Sequence, residues 1–168
     1  MKNKKSIIQG AVFTFLSAFI IAELLQFAVF YFWTGGDFEL SLMGLNILSP
    51  EKLTKVQTVI IISLPLFYVF STIELAINLL KYQTVGRIRF TLLTFIILNT
   101  GYLIVNVFTG AFNIVMNIQG SNSWAVLCRN LELSETARLI FIFIVVVLLV
   151  NYLRSFNRIV TEYISYKK

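Results

Sequence analysis

Residues Ile7 to Trp33 form an almost continuous apolar run, IIQGAVFTFLSAFIIAELLQFAVFYFW. A helix needs about 20 predominantly apolar residues to cross the hydrocarbon core of a bilayer, and this run exceeds that length. Its turn from Ala22 to Gln26, AELLQ, nevertheless carries Glu23 and Gln26 at positions where a membrane helix usually has leucine. The stretch therefore predicts a transmembrane helix with a polar turn that points toward protein rather than lipid.

The composition of the whole chain agrees with a lipid environment. Apolar residues make up 58% of the 168 residues and charged residues 13%, against about 45–50% and about 25% in soluble domains. The chain has no histidine and a single cysteine, Cys128. The residues typical of zinc sites and of histidine-based catalysis are therefore missing, and we predict a protein without metal, cofactor or enzymatic activity.

Four segments are long and apolar enough to span a membrane. We therefore predict an all-α integral membrane protein with one four-helix transmembrane domain. The second segment contains Pro65, which predicts a kink that is tolerated because neighbours can satisfy the freed carbonyl group. The predicted spans are about 7–33, 56–80, 88–112 and 137–152, followed by a cytoplasmic amphipathic tail, 153–168.

Lysine and arginine are distributed unevenly between the two ends of these segments. Ten lie at the N-terminus, in the short second connection and in the C-terminal tail, and four lie in the other two connections. The positive-inside rule then predicts that both termini are cytoplasmic, and we expect the bacterial cytoplasmic membrane. The net charge of +6 is explained by this topology and by anionic lipid, so no nucleic-acid partner is predicted.

The connections and the tail carry residues that are typical of membrane surfaces. In the first outer connection, Phe38, Leu40 and Leu42 alternate with polar residues between glycines, which predicts a short β-hairpin pressed against the membrane. The tail is interpreted as a helix on anionic lipid, with docking of a cytoplasmic partner as the alternative. The residues predicted to contact lipid or a partner are Trp33, Trp124, Arg154, Arg158, Lys167 and Lys168.

Polar residues inside the predicted spans recur on one face of each helix. In the third span Asn99, Asn106 and Asn113 are each seven residues apart, which places them on one stripe at about 100° per residue. We therefore predict a polar seam between helices. Its members are Glu23, Gln26, Glu74, Asn78, Asn99, Asn106, Asn113 and Asn117.

Two interpretations of this seam are open. Amides hydrogen-bond helices to one another in lipid, so the asparagine stripe is interpreted as structural. Ionisable groups inside a membrane are instead candidates for function, which applies to Glu23 and Glu74. Gln26 and Asn78 are expected to be the partners of these two glutamates, because each lies one helical turn away.

The turn AELLQ and the sequence after it resemble the site-2 protease family of intramembrane zinc metalloproteases. Glu23 takes the glutamate position of the H-E-x-x-H motif, and Asn113 matches the asparagine of the family's N-x-x-P-x-x-P-L-D-G motif. Ala22 and Gln26 replace the two histidines, and Ser121 replaces the aspartate. The resemblance covers about the first 125 residues at the level of layout and implies a degenerate member that has lost its zinc ligands.

Three functions remain open from the sequence. The first is a non-catalytic accessory or scaffold subunit of a larger membrane complex, whose partners are lipids and other membrane subunits. The second is a small transporter or proton-conducting element that uses Glu23 and Glu74. A degenerate, protease-like protein is the more distant third.

Overall fold

The computed structural model describes residues 2–35, 38–41, 44–47, 53–116, 124, 127–128 and 131–165. Four of its helices are long and apolar enough to cross a membrane, which confirms the predicted number of spans and indicates a multi-pass membrane protein. The elements in chain order are α1 (Lys2–Phe15), a π-helical segment (Leu16–Ile21), α2 (Ala22–Thr34), β1 (Phe38–Ser41), β2 (Gly44–Ile47), α3 (Lys55–Tyr82), α4 (Gly86–Val115) and α5 (Glu135–Ser165).

The first span is one helical run in which α1 and α2 are joined by the π-helical segment. The backbone N–H of Ala22 donates to the carbonyl oxygen of Ser17. This acceptor lies five residues earlier, whereas in an α-helix it lies four residues earlier, so the hydrogen-bonded turn contains one additional residue. The polar turn from Ala22 to Gln26 begins directly after this segment. The run ends at Gly35, whose φ of 75° lies in the left-handed region that glycine adopts without strain.

The helix α3 has a well-defined start and a proline in its interior. Thr54 and Gln57 form a reciprocal capping box, which satisfies backbone donors of the first turn. Pro65 lies within the helix and supplies no backbone N–H, so the carbonyl group of Ile61 loses its usual partner four residues later.

Two short strands lie between α2 and α3. Phe38–Ser41 and Gly44–Ile47 pair in antiparallel fashion, with Phe38 opposite Ile47 and Ser41 opposite Gly44. Contact of this pair of strands with the membrane surface stays a prediction.

The helical core is built by the first span, α3 and α4. The small residues Ala18 and Ala76 are buried here together with Val69, Ile73 and Ile96. A second buried cluster near the C-terminal end of α2 consists of Phe30, Leu53 and Ile61, and Trp33 packs against it. The first span thus contacts α3 through α2, and α1 packs mainly on α4.

The helix α5 lies at the edge of this core and contacts α4. Many of its large apolar side chains, such as Phe143 and Leu148, are exposed. The predicted span ended at Tyr152, whereas α5 continues as one uninterrupted helix to Ser165. Its 31 residues extend about 46 Å, longer than the roughly 30 Å hydrocarbon core. Contact of this extension with lipid stays a prediction.

Candidate functional site

The polar turn of the first span is fastened to α3 through Gln26. This side chain is 5% exposed, and its Nε2 donates a 3.1 Å hydrogen bond to the carbonyl oxygen of Ile61. Ile61 is the residue whose carbonyl group Pro65 leaves without a helical partner. Gln26 therefore satisfies a backbone acceptor that would otherwise be unpaired in the apolar interior.

Glu23 lies one turn before Gln26 and is half-buried. It interacts electrostatically with Tyr102 of α4, whose hydroxyl group lies beside the side-chain amide of Asn106. Asn106 Oδ1 also accepts a 2.9 Å hydrogen bond from Trp124 Nε1. These four residues form a polar group that joins the first span to α4 and to the segment before α5.

A second glutamate–tyrosine pair joins α3 to α5. The hydroxyl group of Tyr152 lies beside the carboxyl group of Glu74, although it forms no hydrogen bond of standard geometry within the described part of the chain. Tyr152 also packs against Phe70, with ring centroids 5.0 Å apart. This contact and Phe156 hold the middle of α5 against the core.

Asn99 is completely buried where α1 packs on α4. Its Nδ2 donates to the carbonyl oxygen of Phe95 at 3.0 Å and to Thr14 Oγ1 at 3.4 Å. Its Oδ1 has no hydrogen-bond partner among the described residues. The approach of the two helices is close, because a Cβ atom on Gly10 would lie 2.8 Å from Cβ of Thr94.

The remaining members of the predicted seam lie apart from these contacts. Asn78 is exposed, and its Oδ1 accepts a 3.2 Å hydrogen bond from Nζ of Lys81. Asn113 is half-buried two turns beyond Asn106. Asn117 lies outside the described residues. The structure therefore brings Glu23 and Asn106 to the same tyrosine, Tyr102. It bonds Gln26 to α3 and Asn99 to α1 instead. Tyrosines lie beside both glutamates, for which Gln26 and Asn78 were the expected partners.

The residues predicted to contact lipid or a partner occupy different surroundings. Trp33 is half-buried against the Phe30 cluster. Trp124 is half-buried against Gly110, where an added Cβ would collide with its indole ring. Arg154 and Arg158 are exposed on α5. Lys167 and Lys168 lie outside the described residues, as does Ser121.

The sequence interpretation missed Tyr102 and Tyr152. A signal for Tyr102 was present, because it lies three residues after Asn99 and four before Asn106 and so shares their stripe. For Tyr152 the fourth span offered only Asn151 beside it as a polar neighbour. Its partner Glu74 belongs to another helix, and helix-face patterns do not predict such pairs.

No group of three or more histidine, cysteine, aspartate or glutamate side chains in the described ranges is arranged to hold a metal ion. The polar group around Glu23 offers one carboxylate with phenol, amide and indole groups. Such an arrangement suits hydrogen bonding between helices and, through Glu23, the uptake and release of a proton.

No protein-family model, no curated protein and no solved structure matches this chain. The resemblance to the site-2 proteases stays a prediction.

Proposed function

We propose that this protein is a non-catalytic, multi-pass membrane protein that serves as an accessory or scaffold subunit of a larger membrane complex. The observation that supports this best is the use of its intramembrane polar side chains. Gln26, Asn99 and Asn106 each form a hydrogen bond that joins two parts of the helical bundle. Amides in this role stabilise helix association in lipid and perform no chemistry themselves.

The helix α5 is the element best suited to contact another subunit. It is anchored to the core near Tyr152 and Phe156, and its apolar side chains outside those contacts are largely exposed. Helices that associate in a membrane pack apolar surface against apolar surface, without a hydrophobic driving force of their own. A partner helix can therefore replace lipid on the exposed face of α5 at little cost in free energy.

The test of the scaffold function is the mass and composition of the complex that the protein forms in its native membrane. The full-length chain is tagged at one terminus, extracted in a mild detergent and analysed by native mass spectrometry. We expect a stoichiometric complex with at least one other membrane protein. A lone monomer, in several detergents and at native expression level, would reject the accessory-subunit proposal.

We further propose that both termini are cytoplasmic, in the bacterial cytoplasmic membrane, because of the ten-to-four distribution of lysine and arginine. Single cysteines are introduced at Asn3, Thr84 and Ser165 for one side and at Asn46 and Asn122 for the other. The variants are made in a Cys128→Ser background. A membrane-impermeant maleimide added to intact cells should label only the second group, and labelling of the first group alone would reverse the proposed orientation.

A proton-conducting element is the second candidate function. The observation that favours it is the pairing of each intramembrane glutamate with a tyrosine on another helix, Glu23 with Tyr102 and Glu74 with Tyr152. Carboxyl and phenol groups exchange protons, and acidic residues within membrane helices mark many proton relays. Proton uptake by vesicles that contain the purified protein tests this candidate.

A degenerate, protease-like protein is the third candidate and rests on the resemblance of the turn AELLQ to the site-2 protease motif. Elemental analysis of the purified protein tests it. A degenerate protein should contain no zinc, whereas stoichiometric zinc that disappears in Glu23→Gln would indicate a working metalloprotease and overturn both this candidate and the scaffold proposal.

A further inference from the structure

A cleft opens between the first span and α3 at the end of the bundle where α3 ends and α4 begins. Its volume is about 540 Å³, and α4 forms its floor. The lining includes Phe13, Leu16, Leu75, Leu79, Ile88 and Leu92. The cleft is separate from the polar contacts of Glu23 and Glu74, none of whose side chains line it.

The cleft exists because the first span and α3 contact each other closely only toward the opposite end of the bundle, where α2 ends and α3 begins. Gln26 is bonded to Ile61 there, and Ala18 packs with Val69 and Ile73 in the core. From this contact the two helices diverge toward Phe13 and Leu79, while both remain packed on α4.

The lining of the cleft is mostly apolar, and the hydroxyl groups in it are already hydrogen-bonded. Its hydroxyl groups, on Ser17, Thr72 and Thr91, each donate to a backbone carbonyl oxygen of their own helix. These groups therefore require no polar ligand. The occupant that suits such a lining is a hydrocarbon.

The length of the cleft argues for an acyl chain and against a partner helix. The lining covers eight or nine residues of the first span, α3 and α4, which corresponds to about 12 Å. A spanning partner helix would need a groove of roughly 30 Å, whereas one leaflet of the hydrocarbon core is about half that depth. The cleft therefore accommodates the part of an acyl chain nearest the head group, from a lipid of one leaflet.

An arginine lies next to the cleft at the end where α3 ends and α4 begins. Arg87 directly precedes Ile88 of the lining, and its Nη2 donates to Oε1 of Gln9 at 3.4 Å. Gln9 lies one turn before Phe13 of the lining, so the guanidinium group joins α1 to α4 next to the end of the cleft formed by Phe13 and Ile88. The sequences 4–15 and 75–95 contain no aspartate or glutamate, and the guanidinium group matches the geometry of a phosphate.

From this combination we propose that the cleft is a binding site for an anionic phospholipid, with an acyl chain between the first span and α3 and the phosphate group at Arg87. Basic pockets between membrane helices recognise lipid head groups in this way. The site is independent of the scaffold function proposed above, since it requires neither α5 nor another subunit.

The test uses the full-length chain purified in detergent and freed of lipid. Phosphatidylglycerol, phosphatidylcholine with the same acyl chains, and inorganic phosphate are added separately, and native mass spectrometry and thermal unfolding are recorded. We expect bound phosphatidylglycerol and a raised Tm, with weaker binding of phosphatidylcholine and no effect of inorganic phosphate. Equal binding of the two lipids, or stabilisation by inorganic phosphate alone, would overturn the proposal.

Two pairs of variants separate the head-group contact from the cleft itself. Arg87→Gln should weaken phosphatidylglycerol binding about fivefold, the loss expected for one basic residue at an anionic surface. Lys81→Gln is its control, because it removes the same charge at the same end but lies on the opposite face of α3 from Leu79. Equal losses in both variants would show a general charge effect and contradict the site.

Leu75→Trp should reduce binding of phosphatidylglycerol by narrowing the cleft. Val105→Trp is the matched control, since Leu75 and Val105 are 60% and 64% exposed and only Leu75 belongs to the lining. Circular dichroism verifies that both variants fold. Unchanged binding in a folded Leu75→Trp protein would reject the cleft as the place of the acyl chain.

Discussion

The side-chain amide of Gln26 donates to the carbonyl oxygen of Ile61, the acceptor that Pro65 deprives of its helical N–H. This relationship explains why a glutamine is tolerated in the middle of an apolar span. The glutamine completes the hydrogen bonding of a different helix, and the proline in α3 and the polar turn in α2 thus form a matched pair. Water is absent from the hydrocarbon core, so a partner of this kind has to come from the protein.

Gln26→Leu should therefore lower the free energy of unfolding by about 1–2 kcal/mol, because it leaves the carbonyl group of Ile61 buried and unpaired. Pro65→Ala restores a backbone N–H at position 65, which can donate to that carbonyl oxygen. In the double variant the loss of the Gln26 side chain should cost markedly less. Unfolding in detergent of the wild type, both single variants and the double variant gives the coupling energy.

Asn78→Leu serves as the control for this cycle, since Asn78 is an exposed amide that bonds only Lys81 among the contacts described. It should change the stability by less than about 0.5 kcal/mol. Strictly additive effects of Gln26→Leu and Pro65→Ala would contradict the pairing.

Gly110 provides the space in which Trp124 packs. A Cβ atom at this position would collide with the indole ring, and the ring would lose its 2.9 Å hydrogen bond to Asn106. Gly110→Ala should therefore destabilise the protein by about 1–3 kcal/mol. In a Trp33→Phe background, in which Trp124 is the single tryptophan, its fluorescence emission should also shift.

Gly101→Ala is the matched control, because nothing lies within 4 Å of a Cβ atom added there. This change should be neutral or stabilise the helix by up to about 1 kcal/mol. Equal destabilisation by both substitutions would show that helix flexibility, and not the contact with Trp124, determines the effect.

Four helices of spanning length could be predicted from the sequence because long apolar runs dominate the pattern and leave little choice of structure. The inward direction of Gln26 also followed, since its exposure to lipid is costly. Its partner did not follow, because the contact joins residues 35 positions apart. A helix-face pattern describes one helix and contains no information on which neighbour it meets.

The residues through which α1 packs on α4 could not be predicted, for a similar reason. The predicted seam consisted of amides and glutamates, whereas α1 and α4 approach closely at Gly10 and Thr94, and Thr14 contacts Asn99. Small residues allow close helix approach, but serine, threonine and glycine are common in membrane helices and mark no particular contact on their own. The π-helical segment Leu16–Ile21 had no signal in the sequence pattern either.

Cys128 should react slowly with thiol reagents in the folded protein. It is 2% exposed, and burial raises the pKa of its thiol above the usual value, although Arg138 opposes this shift. A raised pKa leaves less of the reactive thiolate at pH 8, and the rate should continue to rise with pH beyond the range of an ordinary cysteine. Maleimide labelling from pH 7 to 9.5, compared with the detergent-denatured chain, measures both effects. Equal rates in the folded and denatured states would contradict the buried position.

Substitution of the two intramembrane glutamates distinguishes the scaffold from the proton-conducting element. Glu23→Gln and Glu74→Gln keep the shape and hydrogen-bonding capacity of each side chain and remove the ability to release a proton. A scaffold should tolerate both changes, with the mass of the native complex unaltered and the Tm within a few degrees of the wild type. A proton-conducting element should instead lose proton uptake in vesicles while still folding.

Tyr102→Phe and Tyr152→Phe supply the corresponding test of the partners, because each removes one hydroxyl group beside a glutamate. If uptake is measurable in the wild type and lost in the glutamate variants, the scaffold proposal has to be abandoned; if no uptake is found and the complex persists in all four variants, the proton-conducting candidate is rejected.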